Sequence, residues 1–207
     1  MYRFQIEEMG LGVDASTQLQ KFSVSAHVLG EVEPKCENHN KVATLEGYYY
    51  LPYFAGNMPD FEELQDLFDE DEATYALIGC VDPESTDSAA PSFTERLQNP
   101  YGTAMLITRL AAEPGWRGTG AGSALLTYTL MRCRNGASWA ALTPSPLNEG
   151  PISTTKRKNG IQKLSAFYRQ HGFFDVPGQT SMACCLTWIA SKMLDRIQAE
   201  SQTTPRL

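Results

Sequence analysis

The sequence predicts a mixed α/β fold, with some strands following one another directly and others crossed over by helices. Three observations carry this. Phe22, Val24, Ala26 and Val28 alternate with Ser23, Ser25 and His27, the two-residue period of a half-buried strand. Residues 104–112 are nearly continuous apolar, as in a central strand covered on both faces. Apolar residues recur at helical spacing in residues 60–71 and 161–171. The chain has 207 residues, 42% hydrophobic and 20% charged, which excludes a mostly disordered chain, a collagen-like fibre and a coiled coil. Its length fits one domain that buries roughly 70% of its unfolded surface and needs no disulfide or metal to stay folded.

Residues 2–8, 22–29 and 42–51 read as the first strands, the last of them carrying Tyr48, Tyr49 and Tyr50. Residues 60–71 read as an acidic amphipathic helix with Phe61, Leu64, Leu67 and Phe68 on one face. A helical piece over 75–80 follows. Residues 82–100, with Pro83, Pro91 and Pro100 among Ser and Asp, read as a long loop. After the central strand comes a Gly-rich turn at 115–122, a helix over 123–134 and a strand over 139–143 that ends at Pro144, Ser145 and Pro146. A polar, basic loop over 148–159 leads into a helix over 161–171. That helix carries Ile161, Leu164, Phe167 and Tyr168 on one face, with Gly172 as its stop. Strands near 173–176 and 181–188 close the domain, and a tail helix is expected over 189–199. There is no internal repeat and no low-complexity segment.

The net charge of −7 argues against a nucleic-acid partner. No Lys or Arg occurs between Lys41 and Arg96, and residues 42–95 hold 13 of the 24 acidic residues. The rest of the chain carries 17 basic and 11 acidic residues. A cationic ligand would favour the acidic part and a polyanionic ligand the basic part. Such an acidic run also reads as solvated surface. No apolar run approaches the roughly 18 residues of a membrane helix, and the first residues hold no apolar signal core. A cytoplasmic protein with no membrane partner is expected. Five scattered cysteines, Cys36, Cys80, Cys133, Cys184 and Cys185, fit reduced thiols rather than a disulfide framework.

The sharpest signal is Glu113-Pro114-Gly115-Trp116-Arg117-Gly118-Thr119-Gly120-Ala121-Gly122-Ser123-Ala124, set between a buried strand and a helix. Glycines let the backbone approach a ligand with no side chain in the way. The free N–H groups of the turn and of the first helical residues converge, and the helix dipole adds about 0.3–1 kcal/mol for an anion. Arg117 adds a formal charge at the mouth. The result is a site for a phosphate or a diphosphate. The dinucleotide fingerprint G-x-G-x-x-G fails, because Ser123 or Leu125 stands at its last position, and no Gly-Lys-Ser/Thr follows as the Walker pattern requires. A Gly-rich strand-to-helix turn with no ligand is the structural alternative.

Arg117 to Gly122 fit R/Q-x-x-G-x-G/A, which resembles motif A of the GNAT acyltransferase superfamily. Tyr168-Arg169-Gln170-His171-Gly172-Phe173 resembles that family's helix ending in Y-x-x-x-G-F, and follows by a strand and a loop as the family order requires. The resemblance covers about 104–186. It implies a GNAT-like α/β (α+β) fold: a central mixed, mostly antiparallel twisted sheet flanked by helices. It implies one domain over 1–207, with a divergent acceptor-side half over 1–100, an acyl-coenzyme A-binding half over 101–188 and a tail over 189–207.

The implied activity is acyl-coenzyme A-dependent N-acyl transfer by direct attack in a ternary complex, with acetyl-coenzyme A as co-substrate and no metal. Carried over by motif, Arg117, Gly118, Thr119, Gly120, Ala121, Gly122 and Ser123 hold the diphosphate. The splayed strand at Leu110, Ala111 and Ala112 holds the pantetheine arm, an N–H there (that of Ala112 foremost) polarises the thioester oxygen, and Tyr168 is the general acid. Glu113, at the end of the central strand, is the candidate base, and Glu46 and Glu149 are no better marked. The acceptor is an amine, either a small molecule or a protein amino group, and the acidic 42–95 stretch suits a cationic one. The pattern is compatible with a homodimer. The alternative reading is a coenzyme A-binding sensor or interaction module without catalysis.

Two features depart from the family. Many GNAT proteins place two helices after the first strand, where residues 1–51 read as strands. Asn is frequent at the start of the helix bearing the tyrosine, whereas here Ile161 stands seven residues before Tyr168 and Asn159 is two residues off. Lys156, Arg157, Lys158 and Lys163 read as loop charges or as partners of the coenzyme's 3′-phosphate.

The remaining constellations are weaker. Cys36 and His39 have C-x-x-H spacing with no second pair, and Cys184 and Cys185 are expected on opposite faces of a strand. His27 reads as a strand-surface residue and His171 as a helix-end residue. Ser123 has no spaced acid and His of a hydrolase. Tyr48, Tyr49, Tyr50 and Tyr53 are candidates to line an acceptor pocket.

Overall fold

Period-two alternation in the N-terminal third builds three antiparallel strands, and these form one side of a seven-stranded sheet. The computed structural model describes residues 3–12, 19–29, 41–51, 76–77, 80, 96–97, 102–132, 136–146 and 153–189. In chain order the strands are β1 (Phe4–Gly12), β2 (Leu19–Val28), β3 (Lys41–Tyr50), β4 (Ala104–Ala112), β5 (Trp139–Leu142), β6 (Phe174–Asp175) and β7 (Met182–Cys185). They lie in the order β1-β2-β3-β4-β5-β7-β6. Every neighbouring pair is antiparallel except β4 and β5. A parallel pair needs a crossover, and helix α1 (Ala121–Arg132) lies on it in the sequence. Helix α2 (Thr154–Gln170) follows β5. This is the mixed, mostly antiparallel sheet with helices that the resemblance implies.

The core forms on both sheet faces. Phe22, Val24, Leu45, Tyr49, Met105 and Ile107 gather with Ala121, Leu125, Leu126 and Leu130 of α1, each buried Leu contributing about 1.5–3 kcal/mol. The rings of Phe22 and Tyr49 meet at 4.8 Å. A second cluster holds Tyr50, Leu106, Trp139, Ala141 and Ala183 with Leu77, Cys80 and Leu97. Residues 104–107 alternate between these clusters, which is why β4 reads as continuous apolar. The same double cover buries Cys184 and Cys185 together, although adjacent strand residues face opposite ways.

Several boundaries differ from expectation. β1 and β2 are longer than 2–8 and 22–29, running on to Gly12 and starting at Leu19. α1 begins at Ala121, two residues earlier than expected. The basic loop expected over 148–159 is helical from Thr154, because the Ser153 side chain accepts from the Lys156 amide and caps α2. Ile161 is 37% exposed rather than buried, since only the C-terminal part of α2 reaches the core, with Tyr168 buried and Leu164 and Phe167 packed beside it. The last strand stops at Cys185, and Leu186–Ile189 form a helical turn. Arg96 and Leu97 are helical within the stretch expected as a loop. The helix over 60–71, the tail from 190 onward, Cys36, His39, Tyr53 and Glu149 lie outside the described residues. Among the described residues, no helix is long and apolar enough to cross a membrane.

Candidate functional site

β4 keeps β5 as a neighbour only from Ala104 to Ile107, where it pairs with Trp139 to Leu142. Beyond that it stays on β3 alone: Arg109 faces Glu46, Leu110 faces Leu45, and Ala112 faces Ala43. The change falls at a bulge. Gly47 pairs with Ile107 and Glu46 with Arg109, leaving Thr108 over, and its hydroxyl donates to the Glu46 carbonyl at 3.3 Å. A bulge bends its strand and raises the local twist. The Glu113 amide donates to Val42 at 2.9 Å. By strand alternation the amides of Ala112 and Leu110 therefore point away from β3, into the gap.

A short 3₁₀ turn at Pro114–Trp116 carries the chain from β4 toward α1. Thr119 locks the turn, donating from its hydroxyl to Trp116 O at 2.7 Å. Gly118 and Gly120 take φ of 78° and 93°, a left-handed backbone that L side chains avoid. The first intrahelical bond runs from the Ala124 amide to Gly120 O at 2.9 Å. The amides of Ala121, Gly122 and Ser123 thus start the helix with no carbonyl behind them. A Cβ built on Gly118, Gly120 or Gly122 would meet nothing within 4 Å. Open space bounded by free amides at a helix N-terminus fits a diphosphate.

The loop opens into a cleft of about 1200 Å³ that also takes in the β4 splay and α2. Arg117, Gly118, Gly120, Gly122, Ser123, Leu110, Ala112 and Tyr168 all line it, so the structure brings eight sequence-identified residues to one place. Four others are not in the lining. Ala121 is buried in the core, the Thr119 hydroxyl is turned onto its own loop, Ala111 is half-buried, and Glu113 is exposed at the strand end. Arg117 Nε reaches back to the Ala112 carbonyl at 3.4 Å. Of the four basic residues flagged near α2, Arg157 and Lys163 line the cleft, on a helix rather than a loop.

Tyr168 sits between Phe167 and Phe173, with ring centroids at 5.2 and 5.8 Å. Burial pushes its phenol up to about 12. Burial likewise raises the Cys80 thiol to about 12, against the opposing hydrogen bond of Ser181, and raises Cys184 further. These two thiols are inert rather than nucleophilic. Glu46, from β3, is the described carboxylate in the cleft lining. His27, read as a surface residue, is half-buried and tied to Ser25 at 2.9 Å.

Sequence reasoning placed His171 at the helix end, where it is, but missed its contacts in the cleft. The residue closes α2, but its Nε2 lies 2.7 Å from Ser123 Oγ and its Nδ1 lies 2.9 Å from Phe167 O. The signal was helical spacing. Phe167 and His171 are four apart and flank Tyr168, so a cleft-facing Tyr168 brings both to the same side. Lys21, Arg109 and Glu46 also reach the cleft, from three strands, and no local motif marks them.

No family model matches the sequence, and no curated protein matches it. Among solved structures, the chain is similar to a KacTA–DNA complex (12% identity, 93% of this chain and 99% of that one, TM-score 0.45). It is also similar to a point mutant of KacT (13% identity, 91% and 98%, TM-score 0.44). A third likeness is to the apo form of an agmatine N-acetyltransferase mutant (12% identity, 79% and 75%, TM-score 0.38). These likenesses are distant. In this chain the glycine-rich segment Arg117–Gly122 lies between β4 and α1, and Tyr168 lies near the end of α2.

Proposed function

We propose that this protein is an acyl-coenzyme A-dependent N-acyltransferase that takes its acyl group from acetyl-coenzyme A and passes it directly to an amine. One observation supports this above the rest: the amides that start α1, ahead of its first intrahelical bond at Ala124, and the β4 splay open into one cleft. Acetyl-coenzyme A supplies an activated acyl group on a thioester when bound. Gly118, Gly120, Gly122 and Ser123 offer amides to its diphosphate, with Arg117 beside them. Arg157 and Lys163 add charge from α2. The amides of Leu110 and Ala112 face the gap where the pantetheine arm fits, and the Ala112 amide is placed to polarise a carbonyl oxygen there.

Tyr168 holds its proton. Burial raises its phenol to about 12, so it is protonated at neutral pH and can give a hydrogen bond, or the proton itself, to the leaving sulfur. Glu113 is exposed and off the lining, so Glu46 is the better candidate to take a proton from the incoming amine, directly or through water.

Thiol release from acetyl-coenzyme A across a panel of amines tests this reading, with turnover above the buffer rate expected for at least one amine class. The second reading, a coenzyme A-binding module without catalysis, draws on the exposed position of Glu113, and tight binding with no turnover on any amine would favour it.

A further inference from the structure

We propose that His171 is a positioning residue of the anion cradle, acting through the Ser123 hydroxyl, so that binding of a diphosphate there takes up a proton. This rests on the coenzyme reading of the cleft. The Phe167 carbonyl only accepts, so His171 Nδ1, 2.9 Å away, carries a hydrogen. In the neutral ring Nε2 is then an acceptor, and the Ser123 hydroxyl at 2.7 Å donates to it. Its one hydrogen is committed, and Ser123 turns lone pairs toward the cleft it lines. An anion in the cradle meets amide donors along the first turn of α1 and an acceptor at this one point.

A proton from solvent on Nε2 reverses the roles. Both ring nitrogens then donate, Nδ1 to Phe167 and Nε2 to Ser123 Oγ. The Ser123 O–H bond stays intact, and its hydrogen swings from the ring to the cleft. Ser123 becomes a donor to the anion, and the imidazolium adds a positive charge one hydrogen bond behind it.

The surroundings sharpen the coupling. The cleft carries Arg117 on the loop, Arg157 and Lys163 on α2, Lys21 on β2 and Arg109 on β4, with Glu46 on β3 as its described carboxylate. Tyr168, neutral, is on the same helix, Arg169 is paired with Asp175, and the Phe167 ring lies 4.6 Å from the imidazole. A dianion in the cradle attracts a positive ring one hydrogen bond behind Ser123, so anion and proton favour each other's binding, and by equal factors.

Calorimetry with 3′-dephospho-coenzyme A tests this, because that ligand keeps the diphosphate and lacks the phosphate monoester that titrates near pH 6. Binding is measured from about pH 5.5 to about pH 8.5 in buffers of different ionisation heat, which counts the protons taken up. The wild type is expected to bind about tenfold tighter at the acid end, since a one-unit shift in the bound state is a tenfold change in affinity. His171→Gln, whose amide donates to Ser123 without titrating, is expected to bind with no pH dependence. Ser123→Ala is expected to lose most of the acid-side gain. Equal wild-type affinity at both ends with no proton uptake overturns the proposal, as does His171→Gln with the wild-type pH profile. Tight binding that ignores pH sinks this proposal and leaves the coenzyme reading standing, whereas no binding at any pH sinks both. Should His171→Gln misfold, Ser123→Ala keeps the test decisive, because an acid-side gain that survives the loss of the Ser123 hydroxyl overturns the proposal.

Discussion

The backbone of Gly47 on β3 lies so close to the carbonyl oxygen of Leu106 on β4 that a Cβ at this position would overlap it, and Phe22 ring atoms stand only 2.8 and 2.9 Å from the same point. This contact adjoins the bulge at Thr108, where β4 parts from β5. Gly47 is thus a condition of the splay as well as of the core. Gly47→Ala is expected to destabilise by about 2–3 kcal/mol, read as a melting temperature lower by about 4–12 °C. A variant as stable as the wild type would show that the strands yield freely here.

Gly120 and Gly178 form a matched pair. Both have positive φ, 93° and 76°, and a Cβ on either meets nothing within 4 Å, but only Gly120 lines the cleft. Gly120→Leu and Gly178→Leu should each cost about 1–2 kcal/mol of backbone strain. Only the first should abolish coenzyme A binding by calorimetry. Equal affinities in the two variants would remove the loop from the binding site.

Tyr168→Phe is expected to lower kcat by about 10- to 100-fold with coenzyme A affinity unchanged. The raised phenol also sets a stability window. An unfolded tyrosine ionises near 10 and the folded one near 12, so the contribution is intact below pH 10 and lost as pH climbs to 12. It amounts to about 3 kcal/mol. Urea unfolding across that range should show a fall that is smaller in Tyr168→Phe, the remainder including the buried thiol of Cys80.

Arg157, Lys158 and Lys163 share α2, but only Arg157 and Lys163 reach the cleft. Arg157→Ala and Lys163→Ala should each weaken coenzyme A binding about two- to fivefold at low salt, the range of an exposed charge pair, and less as salt rises. Lys158→Ala should change neither. If all three behave alike, α2 contributes only a diffuse field.

Much of the core and the anion loop could be read along the chain because their signals are local. Alternation in residues 22–28 and the apolar run 104–112 place strands. The three glycines of the loop are legible because free amides, space and a following helix are properties of neighbouring residues. Boundaries were harder. Residues 154–159 are charged and polar, and a loop reading of them overlooks that Ser153 caps a helix whatever its solvent-facing composition.

The sequence by itself determined that there is a strand–glycine-rich loop–helix unit and a tyrosine helix downstream, because each is written within about a dozen contiguous residues. Only the tertiary structure decided which side chains share the cleft. Lys21, Glu46 and Arg109 meet through strand register, Glu113 falls outside although it adjoins the loop, and Ser123 finds His171 across 48 residues. Register and helix docking are set by how whole faces bury their apolar area, and no window of the chain contains that information.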